Sequence, residues 1–298
     1  MLRRRPSTPA SARSVEPPRR VVYGAEHPCQ YADLWLPSGG PEGPQPVAVL
    51  VHGGSWTCKW CSDLNDAMAA ALAAEGWAVW NLEYRRVGWE DQPGGERPHE
   101  GAGYPGTLQD VGAGLNGLAA LHDAEPELRL DLRRVVIIGH SSGGHLALWA
   151  SQAHRSPLCA EAVRVKPVAV VALGPATDLL AEFGARHNPP QPPRSCHVLL
   201  TALFARAAAR ARPDVERFMQ CTPASDPDAF ALASPMALLP LGCKQLIVTG
   251  DNDVNVPPEL TRAYAAAAAE AGDPTQLLQF TVRPFAKSSL DHALDQGS

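Results

Sequence analysis

Val135-Val136-Ile137-Ile138-Gly139-His140-Ser141-Ser142-Gly143-Gly144-His145 decides how this chain is read. Four apolar, β-branched residues in a row, too short for a helix, read as a strand buried on both faces. Gly143–Ala153 has a helical pattern. Between them lies G-x-S-x-G, centred on Ser141. A serine on so tight a strand-to-helix turn adopts a strained backbone, and its Oγ projects from the sheet. The helix start places positive dipole and free N–H groups beneath it. Ser141 is therefore the candidate nucleophile, and the N–H of Ser142 a candidate donor to an oxyanion.

Outward from this turn, strands and helices alternate. Gln30–Leu36, Val47–Val51, Ala78–Tyr84, Val168–Leu173, Leu246–Thr249 and Leu277–Val282 read as strands. Leu64–Glu75, with Gly76 past its end, reads as a helix. Thr107–His122, with Thr107 as N-cap, and Pro258–Ala271 read as two more. Short Val- and Ile-rich strands alternating with helices predict a mostly parallel central sheet with helices on both faces. Residues 195–219, helical in pattern, interrupt the alternation. A small helical insert over about 178–220 would sit at the carboxyl ends of the strands, where such sheets bind ligands.

Three further segments complete a chemical set. His52-Gly53-Gly54-Ser55-Trp56 directly follows the Val47–Val51 strand. Two glycines there let the backbone turn its N–H groups toward a substrate oxygen, so Gly53, Gly54 and Ser55 are candidate oxyanion donors. His52 reads as structural, holding that loop. In Leu246–Pro257, an acid beyond a late strand can accept Nδ1–H from a catalytic histidine and stabilise the imidazolium. Asp253 is preferred to Asp251. The order Ser, Asp, His then calls for a histidine after residue 253, and His292 is the only one.

These pieces, with Asn81-Leu82-Glu83-Tyr84-Arg85-Arg86-Val87-Gly88, resemble the α/β-hydrolase superfamily over about residues 21–283. The likeness is to its HGG-x-W esterase branch, which includes kynurenine formamidase-like and BD-FAE proteins. It implies an α/β-hydrolase fold with Ser141 as nucleophile, Asp253 as orienting acid and His292 as base. It also implies an acyl-enzyme route acting on a small carboxylic ester or an aryl-formamide type amide. Such proteins usually carry the histidine soon after the last strand, whereas Val282–Lys287 has none and His292 comes later. The alternative is a hydrolase-fold protein that has lost its base and binds a small molecule or partner.

Composition agrees with an ordinary globular chain. The 298 residues are 45% hydrophobic and 19% charged, with a net charge of -5. Such a chain can bury enough apolar surface to fold. The acidic balance and the absence of a basic groove argue against a nucleic-acid partner. No apolar run reaches the roughly 20 residues of a membrane span. Residues 1–20, with six arginines and four prolines, read as a disordered basic tail, and 21–298 as one domain. No secretory signal is evident, so the cytoplasm is the expected location. Cys58-Lys59-Trp60-Cys61 lacks the context of a redox or zinc site and reads as incidental. No metal or cofactor is expected. Trp56, Trp60, Tyr84, Trp89 and Tyr104 are candidates for an aromatic substrate pocket. Arg85 and Arg86 read as ion-paired.

Overall fold

In the computed structural model of the chain, the described residues are 15–40, 43–88, 97–187, 214–253 and 255–281. Eight strands form one sheet: β1 (Arg19–Val22), β2 (Tyr31–Trp35), β3 (Gln45–Val51), β4 (Ala78–Leu82), β5 (Leu130–His140), β6 (Ala169–Leu173), β7 (Lys244–Gly250) and β8 (Thr275–Phe280). Their spatial order is β1-β2-β4-β3-β5-β6-β7-β8. β1 and β2 run antiparallel, and every pairing from β4 to β8 is parallel. The expected α/β-hydrolase architecture is thus what the chain adopts.

Alternation along the strands supplies two faces, because successive side chains point to opposite sides. Val47, Val49 and Val51 of β3 face the larger core, with α2 (Gly106–Ala124), α3 (Ser142–Ala150) and α7 (Pro258–Glu270) packed on that side. Ala48 and Leu50 of the same strand face Ala69 and Ala73 of α1 (Asp66–Ala74) on the other. A strand buried on both faces has to be apolar throughout, as β3 and β4 nearly are. The exceptions are Gln45 at the start of β3 and Asn81, fully buried in β4, whose Nδ2 donates to Ser62 O at 2.8 Å and so ties down the loop entering α1.

Several expected boundaries move. Arg19 and Arg20, expected in the tail, lie in β1, where they pair with Glu125 and Asp33. β5 starts five residues earlier than its apolar run, and the register shift against Pro46 and Val47 lets Arg133 and Arg134 bulge outward onto Asp131. Thr107 is not an N-cap. It lies within α2, where its hydroxyl accepts from Gly103 N at 3.0 Å and donates to Arg85 O at 2.7 Å. Of the expected insert, α4 (Leu179–His187) and α5 (Asp214–Met219) are described, and 188–213 lies outside the described residues. α6 (Pro227–Ala233) follows, with Asp226 as its N-cap. Among the described residues no helix is long and apolar enough to cross a membrane.

Candidate active site

Ser141 stands where β5 turns into α3, with φ 55° and ψ −124°. A positive φ is costly for a residue with a Cβ, about 1–3 kcal/mol, and persists only where the surroundings over-determine it. Here they do. Ser141 N donates to Leu173 O at 2.8 Å, and its carbonyl accepts from His145 N at 3.1 Å. Gly143 lies so close to Val51 O and His52 O that any side chain would collide with backbone. Ser142, the first residue of α3, is buried and has no intrahelical partner for its N–H.

The loop after β3 lies against this turn. A Cβ added at Gly53 would stand 2.5 Å from His140 O and 3.3 Å from Ser141 Cβ, so a glycine is what lets the two backbones approach. Trp56 N donates to Ser142 Oγ at 3.3 Å, joining loop to elbow. Trp56 Nε1 donates to His145 Nδ1 at 3.2 Å, and His145 Nε2 donates to Ala233 O at 2.9 Å. That fixes the neutral tautomer. Burial lowers the His145 pKa to about 4, with the bond to Ala233 only partly opposing it. Among the described residues the N–H groups of Gly53, Gly54 and Ser55 donate to no protein acceptor.

Behind the loop lies a buried polar network. His52 is 1% exposed and Glu83 is 0% exposed. His52 Nε2 faces Glu83 Oε1 at 3.0 Å, and the other carboxylate oxygen of Glu83 accepts from Ser62 N at 2.9 Å. Burial pushes the Glu83 carboxyl up, but His52 and Arg86 more than offset this and hold it below the usual range. Arg86 also donates to Trp60 O and to Cys29 Sγ. Arg85 forms a buried pair with Asp110, donating from Nε at 2.8 Å and Nη2 at 2.7 Å. Sequence reasoning missed Glu83. Its one signal was an acid placed immediately after the apolar run of β4.

Asp253 and Asp251 part company. Asp253 Oδ1 accepts from Asn255 N at 2.9 Å and Val256 N at 3.0 Å. Its Oδ2 lies 3.1 Å from where a Cβ of residue 174 would stand. Gly174 follows Leu173, the residue that anchors Ser141 N, so this carboxylate lies next to the elbow. Asp251 instead accepts from Gln279 and, at 2.6 Å, from Thr281 on the sheet edge. Those bonds hold its carboxyl below the usual range. His292 lies outside the described residues.

The aromatic candidates scatter. Tyr84 is fully buried behind the loop, stacked on His52 with centroids 4.4 Å apart, and does not line a pocket. Trp56 is a packing residue too, stacked on Phe218 at 4.6 Å. Both side chains are buried against neighbouring rings, Tyr84 against His52 and Trp56 against Phe218 and His145. Trp60, 39% exposed, packs over Gly54. Tyr104 is half-buried, with its N–H on Phe218 O at 2.7 Å, so the insert reaches the ligand end of the sheet. Trp89 lies outside the described residues. Among the described residues, Cys58 and Cys61 form no disulfide.

A second cluster, His27, Cys29 and His99, has its donor atoms within 4.8 Å of one another. It is poorly suited to a cation. His27 Nδ1 accepts from Cys29 N and His99 Nδ1 from Arg86 N, which leaves the proton of each neutral ring on Nε2. The Arg86 guanidinium stands 3.3 Å from the sulfur.

Comparison with known proteins bears on the whole arrangement. The BD-FAE family model matches residues 32–267. Over 139 residues the chain is 30% identical to Esterase LipC of Mycobacterium tuberculosis, a stretch covering 47% of this chain and 30% of that protein. A stretch of 122 residues is 29% identical to the non-reducing polyketide synthase pkbA of Emericella nidulans, covering 40% of this chain and 4% of that one. The chain thus spans less than a third of these relatives' lengths. Among solved structures, a bacterial heroin esterase superposes with a TM-score of 0.65 at 20% identity, covering 96% of this chain and 84% of its own. Esterase B of Lactobacillus rhamnosis gives 0.63 at 18%, covering 96% and 84%. At those identities the likeness is one of fold.

Proposed function

Because the chain belongs to the BD-FAE family and has the α/β-hydrolase fold, we propose that it is a serine hydrolase. Its substrates in this reading are small carboxylic esters or aryl-formamide type amides, cleaved through an acyl-enzyme. The observation that carries the reading is the strained backbone of Ser141 at the β5–α3 junction, with Gly53 of the preceding loop against it. Strain of this kind is retained where a function needs the side chain so presented.

In the proposed reaction Ser141 Oγ attacks the substrate carbonyl while His292 takes its proton. The carbonyl oxygen becomes an oxyanion, received by N–H groups drawn from Gly53, Gly54, Ser55 and Ser142. Asp253 accepts Nδ1–H of the histidine and stabilises the imidazolium. The proton then passes to the leaving alcohol or amine as the carbon–oxygen or carbon–nitrogen bond breaks. Water repeats the sequence on the acyl-enzyme and releases the acid. Esterases among the relatives and structural neighbours support the ester class.

The test is direct. Wild-type protein should hydrolyse p-nitrophenyl acetate and be labelled by a fluorophosphonate. Ser141→Ala should abolish labelling and cut kcat by about 10⁴-fold or more, with an unchanged melting temperature. A folded wild type that neither labels nor turns over would mark the chain as a binding protein on a hydrolase fold.

A further inference from the structure

Three successive carbonyls of the loop after β3 each have a dedicated partner. His52 O accepts from the Tyr84 hydroxyl at 2.7 Å. Gly53 O accepts from His52 Nδ1 at 2.8 Å. Gly54 O accepts from Thr57 N at 3.0 Å and from Thr57 Oγ1 at 2.9 Å. A trans peptide is planar, and its C=O and N–H point in opposite directions. Fixing each carbonyl therefore fixes the N–H of the next residue: Gly53, Gly54 and Ser55 in turn. These are the three amides that donate to no protein acceptor among the described residues.

The partners of the first two carbonyls trace to β4 and the residues just beyond it, outside the loop. The His52 ring lies between the faces that hold it. Tyr84 stacks on it with planes 9° apart, and Glu83 Oε1 faces its Nε2 at 3.0 Å. Glu83 is itself pinned by Ser62 N at 2.9 Å, Tyr84 N at 2.8 Å and Arg86 at 3.3 Å. Neither Glu83 nor Tyr84 reaches solvent. An unpaired buried carboxylate at this depth would be costly, so its pairing has to be complete.

We propose that Glu83 and Tyr84 are positioning residues for the oxyanion hole. Tyr84 orients the 52–53 peptide directly, Glu83 orients the 53–54 peptide through His52, and the two amides are aimed before substrate arrives. The inference rests on Ser141 acting as the nucleophile. Donors aimed in advance stabilise a developing oxyanion without reorganising during the reaction. Their misorientation affects the transition state more than the ground-state complex, so it falls on kcat rather than on KM.

The experiment uses the full chain with p-nitrophenyl acetate, and a phenylboronic acid as tetrahedral mimic. Tyr84→Phe removes one hydroxyl and keeps the stacking ring. Glu83→Gln keeps the shape and removes the charge. Losing a whole oxyanion donor costs on the order of 10²–10³ in kcat, and misorienting one should cost roughly 10–100-fold. KM should stay within about threefold, and boronate affinity should fall in proportion to kcat. In a His52→Ala background, Glu83→Gln should add almost nothing, because its effect runs through the missing ring. Folded variants with wild-type kcat, or equal losses of Glu83→Gln with and without His52, overturn the inference. If Glu83→Gln fails to fold, Tyr84→Phe decides alone. A wild type that neither turns over ester nor takes the fluorophosphonate sinks the nucleophile assignment and this inference with it. An active wild type with unaffected variants sinks only the inference.

Discussion

The two ends of the proposed catalytic rim are built differently. At β3, β4 and the elbow, nearly every polar atom is buried and tied to a partner far along the chain. Trp56 meets His145, 89 residues on, and His52 meets Glu83, 31 residues on. At the β7–β8 side, Asp253 is held mainly by the N–H groups of its own turn, at residues 255 and 256. The strand beyond is an edge, with Leu278 37% and Phe280 57% exposed. The nucleophile and oxyanion half depends on the whole core being assembled, whereas the acid half depends on a local turn. Substitutions among the buried polar partners of the first half should therefore disturb stability and activity together, and those in the second activity alone.

The sharpest contrast is within the acid half. Asp253→Asn should lower kcat on p-nitrophenyl acetate by about 10³–10⁴-fold through loss of the carboxylate proposed to orient the base. Asp251→Asn, bonded to the sheet edge, should stay within about threefold. Equal losses in the two variants, measured at matched melting temperature, would reverse the assignment. In the core half, Asp110→Ala leaves the Arg85 guanidinium with the exposed Glu26 carboxylate as its remaining ion-pair partner and should destabilise the protein by about 2–4 kcal/mol in urea unfolding. A loss under 1 kcal/mol would show that the network there is looser than its distances imply.

Acid should also find the core half first. The folded-state pKa of His145 is depressed to about 4, while in the unfolded chain the ring takes up a proton near 6.5. As pH falls through 6.5 the unfolded state binds the proton and the folded state does not. Stability is therefore full above that pH and drops by about 1.4 kcal/mol per unit on the way toward 4. His99, also lowered to about 4 by burial and Arg86, adds in the same direction, less so because it is half-buried. Unfolding free energies at pH 7, 6 and 5 check this, and a flat profile would contradict it. The smallest effect concerns strain. Ser141→Gly, free to adopt φ 55°, should raise stability by about 1 kcal/mol while abolishing labelling. A destabilised glycine variant would mean that the Ser141 side chain contributes packing that outweighs its strain.

Much of this was legible in the residues themselves. Apolar runs with Val and Ile gave the parallel strands, because a strand covered on both faces has no room for polar side chains. The glycines around Ser141 and the Gly53-Gly54 pair gave the turn and the loop, since only a missing Cβ allows such close backbone approach. Strand ends were less legible. β5 begins at Leu130 because Asp131 caps a bulge with Arg133 and Arg134, a pairing no periodicity encodes. Tyr84 and Trp56 were misplaced because an aromatic beside a glycine loop reads the same whether it lines a pocket or braces the loop from behind.

The chain's own order of short apolar strands, helices and glycine turns was enough to determine the layered fold and the elbow, because those depend on local sterics and on which residues avoid water. That Glu83 and Tyr84 stand behind the loop, and that Asp251 is taken up by Gln279 and Thr281, only the tertiary structure decided. Those facts depend on strands far apart in sequence lying side by side, and on buried charges finding partners that spacing along the chain does not reveal.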